Sequence, residues 1–273
     1  MDNTYPFADH REEVNIGDFR IAFERRGKGQ PLLLLHGALG DSRAWRKQID
    51  ELSDEYEVVA WDAPGCGRSS DPPETFSISD FADSLAAFNE AIGLDSAHVL
   101  GLSFGGGLAL EYYNRYPDNT RSLILAGAYA GWAGSLPRQE VEQRLQRMDA
   151  LTKMPIEQIA EELVPTFFSE TVSRDVVEEI TAIMADFHPI GLKAMTFALG
   201  NADLNYILPE IKVPTLLLYG DKDKRSPRYV AEKMHVSIPG SRLVIMPGVG
   251  HASNLEAPDL FNKEVLNFLE QLE

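Results

Sequence analysis

Ser103 stands in Gly101-Leu102-Ser103-Phe104-Gly105, directly after the apolar run Ala97-His98-Val99-Leu100 and directly before a small-residue stretch that reads as a helix. A serine between glycines at a strand-to-helix turn is the arrangement of a nucleophile elbow. The glycines keep the crossing of strand and helix free of Cβ atoms. A turn this sharp strains the serine backbone and projects the hydroxyl above the sheet. A serine hydroxyl is a weak nucleophile at neutral pH, so the chain must also supply a base, a group that orients it, and donors for an oxyanion.

Six histidines are present. His251 is the expected base, because the turn Pro247-Gly248-Val249-Gly250-His251 follows a strand and a loop there can carry the ring over Ser103. His36 precedes Gly37 at a strand end and reads as a structural hydrogen-bonding group. His10 and His235 read as surface residues, His98 as a strand-edge residue, and His188 falls in a helical stretch further along. The imidazole needs a carboxylate that holds its tautomer and stabilises the imidazolium. In Gly220-Asp221-Lys222-Asp223 the expected acid is Asp223, with Asp221 shaping the turn and standing as the alternative. Asp62 also ends a strand, but it precedes the serine and opens a loop of its own. The expected oxyanion donors are the backbone N–H groups of Phe104, at the helix start, and of Ala38, in the loop after His36-Gly37.

These groups need a scaffold. Segments 14–16 and 19–23 around Gly17-Asp18 read as a hairpin. The runs at 31–35, 58–61, 97–101, 121–126, 213–220 and 243–246 read as further strands, most of them apolar without alternation, as in a sheet covered on both faces. Helical spacing separates them: Phe81, Leu85, Phe88 and Ile92, then Leu108, Leu110 and Tyr113, and last Phe261, Val265 and Phe268. Strand–helix alternation makes a mostly parallel α/β sheet the economical architecture. From 131 to 212 the alternation lapses, and 136–151, 156–168, 172–187 and 190–199 read as helices punctuated by Pro155, Pro165 and Pro189. This stretch is expected to be an inserted helical cap, with 1–130 and 213–273 forming the core domain. Trp132 at its entry, with Tyr129 and Phe168, is the expected substrate contact; the apolar cap favours a small to medium apolar acyl group.

The 273 residues carry a formal net charge of −17, which disfavours nucleic acid and anionic membrane as partners. Cys66 is the only cysteine, so no internal disulfide forms and a reducing compartment is allowed. The start, Met1-Asp2-Asn3-Thr4-Tyr5-Pro6, has no apolar core of a signal peptide, and no run approaches a membrane span; a cytoplasmic monomer or homodimer is expected. No phosphate loop and no His/Cys pair at zinc-ligand spacing occurs, so neither a cofactor nor a metal is expected.

The order Ser103, Asp223, His251 resembles the α/β-hydrolase superfamily. So do His36-Gly37 as an oxyanion loop, Asp62-Ala63-Pro64-Gly65-Cys66-Gly67-Arg68-Ser69 as its turn, and Gly250-His251 with Glu256-Ala257-Pro258 as its histidine loop. The resemblance extends over nearly the whole chain, and it is strongest to the cap-bearing esterases, enol-lactone hydrolases, C–C bond hydrolases and cofactor-free haloperoxidase-like enzymes. It implies an eight-stranded, mostly parallel sheet and hydrolysis of an ester or lactone through an acyl-enzyme. A serine rather than an aspartate at position 103 disfavours dehalogenase and epoxide hydrolase chemistry. The alternatives are a C–C bond hydrolase or acyltransferase on the same triad, and a slow-turnover ligand receptor on the same fold.

Overall fold

The computed structural model describes residues 11–272, so the expectations for the first six residues and for His10 lie outside the described residues. Eight strands form one sheet: β1 (Arg11–Ile16), β2 (Phe19–Arg26), β3 (Gln30–Leu35), β4 (Tyr56–Trp61), β5 (Ala97–Leu102), β6 (Thr120–Ala126), β7 (Thr215–Gly220) and β8 (Arg242–Met246). Their spatial order is β1-β2-β4-β3-β5-β6-β7-β8. The β1–β2 and β2–β4 pairs are antiparallel, and every pair from β4 to β8 is parallel. This is the α/β-hydrolase architecture that the motifs imply.

The unalternating strands are explained by two apolar layers. On β3, Leu32 and Leu34 join a cluster with Trp45, Ile49, Phe261 and Phe268, whereas Leu33 and Leu35 join Phe81, Leu85, Leu108 and Tyr112. Strand residues alternate between faces, so helices α1 (Arg46–Leu52) and α11 (Pro258–Leu269) cover one face, and α2 (Ile78–Ala91) and α3 (Phe104–Arg115) the other. Helix α2 begins in a capping box in which Ser77 and Asp80 exchange hydrogen bonds. Helix α9 (Arg228–Ser237) links β7 to β8, and the short α10 (Ser253–Glu256) precedes α11.

Between β6 and β7 run α4 (Trp132–Ser135), α5 (Arg138–Leu151), α6 (Ile156–Phe167), α7 (Arg174–Met184) and α8 (Pro189–Asn201). Pro165 lies inside α6, as in the helix read over 156–168; it removes one N–H from the backbone ladder, and the helix ends two residues later at Phe167. The helices lie against loops at the carboxyl ends of the parallel strands. Arg43 Nη1 reaches Asp186 at 2.8 Å, His188 Nδ1 lies 2.6 Å from Asp71, and the Ala252 N–H donates to the Phe167 carbonyl at 2.9 Å. Cα of Gly191, in α8, abuts the backbone of Gly65 so closely that a methyl group there would overlap the Gly65 carbonyl.

The loops after β3 and β4 are fastened to each other. His36 Nδ1–H donates to its neighbour's carbonyl, Gly37 O, at 2.8 Å, and its Nε2 accepts from the Ala63 N–H at 3.0 Å. Asp62 Oδ1 accepts from the Ser42 N–H at 2.8 Å and Oδ2 from the Arg68 N–H at 3.0 Å. Residues 62 and 63 thus hold both ends of the loop that contains Ala38. Burial, reinforced by the charge of Asp41, raises the Asp62 carboxyl to about 6. Burial also holds the His36 imidazole below its ordinary value, against the opposing pull of the Gly37 carbonyl and Asp41.

Two outcomes are expected. Helix propensity alone favours alanine over glycine, but the contact with Gly65 means that Gly191→Ala destabilises the fold by about 1–3 kcal/mol, as measured by urea denaturation. The folded state holds the Asp62 proton more tightly than the unfolded chain, so its contribution to stability is full below the unfolded value of 3.8 and is lost as pH rises through about 6. Denaturation at stepped pH is therefore expected to give a wild-type minus Asp62→Asn stability difference that declines across that window; a flat difference contradicts it.

Candidate active site

Ser103 stands between β5 and α3 with φ of 54° and ψ of −112°, the left-handed backbone expected of a serine forced into a strand-to-helix turn. A methyl group on Gly105 would overlap the Leu35 carbonyl, so glycine is required where α3 leaves the sheet. The Ser103 N–H donates to the Ala126 carbonyl at 2.8 Å, and its carbonyl accepts from the Gly106 and Gly107 N–H groups. The side chain is half-buried and makes no capping bond to its own helix.

Asp223 follows β7 and His251 follows β8, so they share the carboxyl edge of the sheet with Ser103. His251 Nδ1 lies 2.8 Å from Asp223 Oδ2, with the side chains 5% and 1% exposed. The other oxygen, Asp223 Oδ1, accepts from the N–H groups of Arg225 at 2.8 Å and Ser226 at 2.7 Å. Three such bonds hold the carboxylate in one orientation. A methyl group on Gly127, next along from the carbonyl that receives the Ser103 N–H, would lie 3.0 Å from His251 Nδ1 and 3.3 Å from Asp223 Oδ2. The three residues therefore converge on the end of β6. Asp221 is occupied elsewhere, accepting from the Gly248 N–H at 2.6 Å, and Asp62 braces the loops described above.

The loop bearing Ala38 approaches from the β3 side, and a methyl group on Gly37 would lie 3.4 Å from the Ser103 Cβ. Among the described residues, neither the Ala38 N–H nor the Phe104 N–H has an acceptor. Phe104 directs its side chain into the core against Phe81, with ring centroids 5.1 Å apart.

Of the aromatic residues singled out in the sequence, Tyr129, Trp132 and Phe168 are all buried. The Tyr129 hydroxyl donates to the Arg225 carbonyl, and the Arg144 guanidinium packs on the rings of Tyr129 and Trp132 at 5.4 and 5.5 Å. The ring that stacks on His251 belongs instead to Phe167, with centroids 6.4 Å apart and planes inclined by 22°. Glu256 is a further residue of the site: Oε2 accepts from the Gly250 N–H at 2.7 Å, while Oε1 accepts from the N–H and hydroxyl of Ser169. Both neighbours of His251 are thus tied down, Gly250 by Glu256 and Ala252 by Phe167.

The remaining histidines serve other ends. His98 lies inside the sheet on β5, not at a strand edge, with Nδ1 2.8 Å from the Ser122 hydroxyl. Burial, together with the charge of Arg121, pulls it down to about 4. His235 is half-buried rather than at the surface, with Nδ1 2.9 Å from the Ser241 hydroxyl. Among the described residues no cluster of His, Cys, Asp and Glu is arranged to hold a metal ion, and no helix is long and apolar enough to cross a membrane.

The chain is similar over most of its length to known hydrolases. A candidate carbamate hydrolase, RutD of Azorhizobium caulinodans, is 30% identical over 261 residues, covering 94% of this chain and 97% of that protein. The 2-hydroxy-6-oxo-6-phenylhexa-2,4-dienoate hydrolase of Burkholderia cepacia is 28% identical, covering 94% and 93%. The structure of a thermophilic esterase from Thermogutta terrifontis superposes with a TM-score of 0.88 at 29% identity, covering 96% of this chain and 98% of that one. A profile of the alpha/beta hydrolase family matches residues 32–264, and the chain belongs to that family.

Proposed function

We propose that this hydrolase cleaves a carboxylic ester or lactone by way of an acyl-enzyme on Ser103. The observation that carries the reading is the buried 2.8 Å pairing of His251 Nδ1 with Asp223, beside a serine in strained backbone geometry. With Nδ1 held by the carboxylate, Nε2 of His251 is the nitrogen that accepts the Ser103 proton as Oγ attacks the carbonyl carbon. The unpartnered N–H groups of Ala38 and Phe104 receive the oxyanion, and the start of α3 adds the positive end of its dipole. His251 then protonates the leaving alcohol and, in the second half, takes a proton from the water that attacks the acyl-enzyme. Residues 131–212 act as a lid over this edge of the sheet, with Tyr129, Trp132 and Phe168 shaping its aromatic inner boundary. Kinship to the Burkholderia dienoate hydrolase supports a second reading, cleavage of a C–C bond in a vinylogous diketone by the same residues.

Assays with 4-nitrophenyl esters of graded acyl length, a lactone panel and a ring-fission diketone separate these readings. Ser103→Ala is expected to abolish labelling by a fluorophosphonate and to lower kcat on the order of 10⁴–10⁶-fold. Asp223→Asn is expected to cost roughly 10⁴-fold with the fold intact. Undiminished labelling of Ser103→Ala moves the nucleophile elsewhere, and an unaffected Asp223→Asn moves the acid.

A further inference from the structure

Beside the Asp223–His251 pair stands a cation that the reaction as written does not use. The Arg225 guanidinium is half-buried, lies 4.9 Å above the Phe167 ring that itself stacks on His251, and donates from Nη1 to Thr166 Oγ1 at 3.1 Å. Its Nε and Nη2 have no acceptor, and no carboxylate lies within ion-pair distance, among the described residues. Asp223 does not fill that place, because one oxygen is held by His251 and the other by two backbone N–H groups. Arg144, whose Nη2 approaches the Arg225 carbonyl at 3.4 Å, is already paired with Glu140 at 2.8 Å. The charge of Arg144 also opposes that of Arg225: burial first, and then this repulsion, pull the Arg225 guanidinium down to about 10.

A chain with 42 acidic and 25 basic residues has carboxylates to spare, yet among the described residues none lies within ion-pair distance of this arginine. Neither Nε nor Nη2 is among the buried atoms that lack a partner, so both are open to solvent and to a ligand, and an anion there would form a charge-assisted pair in a half-buried setting. The unfilled positions are Nε and Nη2, which together form one edge of the guanidinium fork. That edge matches the two oxygens of a carboxylate.

We propose that Arg225 anchors a free carboxylate on the substrate, so that the ester or lactone this enzyme hydrolyses is an acidic one. The inference rests on the serine-hydrolase reading and narrows it: the apolar surroundings hold the carbon skeleton, and Arg225 fixes one charged end. The Phe167 ring meets both the Arg225 guanidinium and the His251 imidazole, at 4.9 and 6.4 Å from its centroid, so the anchored end and the scissile group can belong to one molecule of modest size.

The test uses matched pairs that differ only in the carboxylate. On the acyl side these are 4-nitrophenyl hydrogen glutarate and 4-nitrophenyl pentanoate; on the alcohol side, 4-acetoxybenzoate and phenyl acetate. Wild type is expected to prefer the acidic member of one pair by roughly tenfold or more in kcat/KM, as one charge-assisted contact allows. Arg225→Gln should erase that ratio mainly through KM, and Arg225→Lys, which keeps the charge but not the fork, should retain part of it. A wild type without the preference, or an Arg225→Gln variant that loses activity on both members of a pair equally, overturns the proposal and leaves Arg225 as a support of the acid turn. Failure of the reaction itself is told apart by binding: should no ester be hydrolysed and Ser103 not be labelled, calorimetric titration with glutarate and glutaramide still decides. Glutarate binding that glutaramide does not match, and that Arg225→Gln removes, supports the carboxylate anchor; equal or absent binding of the two overturns it.

Discussion

Around Ser103 the chain passes so close to itself that backbone meets backbone. A side chain on Gly101 would run into the Gly105 carbonyl, and one on Gly105 into the carbonyl of Leu35 on the neighbouring strand. Three segments, β3, β5 and the start of α3, therefore share a space that admits no Cβ. The strained φ of Ser103 persists because its surroundings over-determine it: a hydrogen bond to Ala126 on one side and the helix it opens on the other. The alignment of the β6, β7 and β8 ends with this point follows from the parallel register of the sheet, which brings Gly127, Asp223 and His251 to one edge.

Two histidines at this edge illustrate how surroundings assign a role. Both nitrogens of His36 are taken by backbone groups, and burial favours its neutral form, so it ties loops together. His251 has one nitrogen held by a carboxylate and, among the described residues, no partner at the other. The ring chemistry is the same in both; the partners make the difference, a carbonyl at Nδ1 and an N–H at Nε2 for His36, a carboxylate at Nδ1 for His251. The same contrast separates Asp62, whose oxygens meet two backbone N–H groups, from Asp223, which meets two on one oxygen and an imidazole on the other.

Much of this was legible in the residues. Unbroken apolar runs marked strands buried on both faces, and loop glycines marked the places where strands end, so the sheet and the positions of Ser103, Asp223 and His251 along it could be anticipated. The contacts that hold these residues were not legible, because they join segments far apart in the chain and rest on common residue types. Nothing in the local sequence separates Phe167 from Phe168, yet only the first stacks on the imidazole. Glu256 belongs to a recognisable motif, but its bonds to Gly250 and Ser169 appear only once the helices between β6 and β7 are folded against the sheet. His98 reads as a strand-edge residue yet lies inside the sheet, where its Nδ1 is paired with the Ser122 hydroxyl 2.8 Å away on the neighbouring strand.

The double attachment of the His251 loop bears on how such enzymes are re-engineered and how they diverge. Exchanging the helices between β6 and β7 for those of a relative looks like a way to alter specificity while keeping the chemistry. In this chain those helices carry the Phe167 carbonyl that receives the Ala252 N–H, the Ser169 group that shares Glu256, and the Thr166 hydroxyl that meets Arg225. A graft that omits residues 166–169 would strip support from the imidazole loop and from the acid turn together. The insertion is not a detachable module, and its last α6 turn belongs, in energetic terms, to the sheet below it.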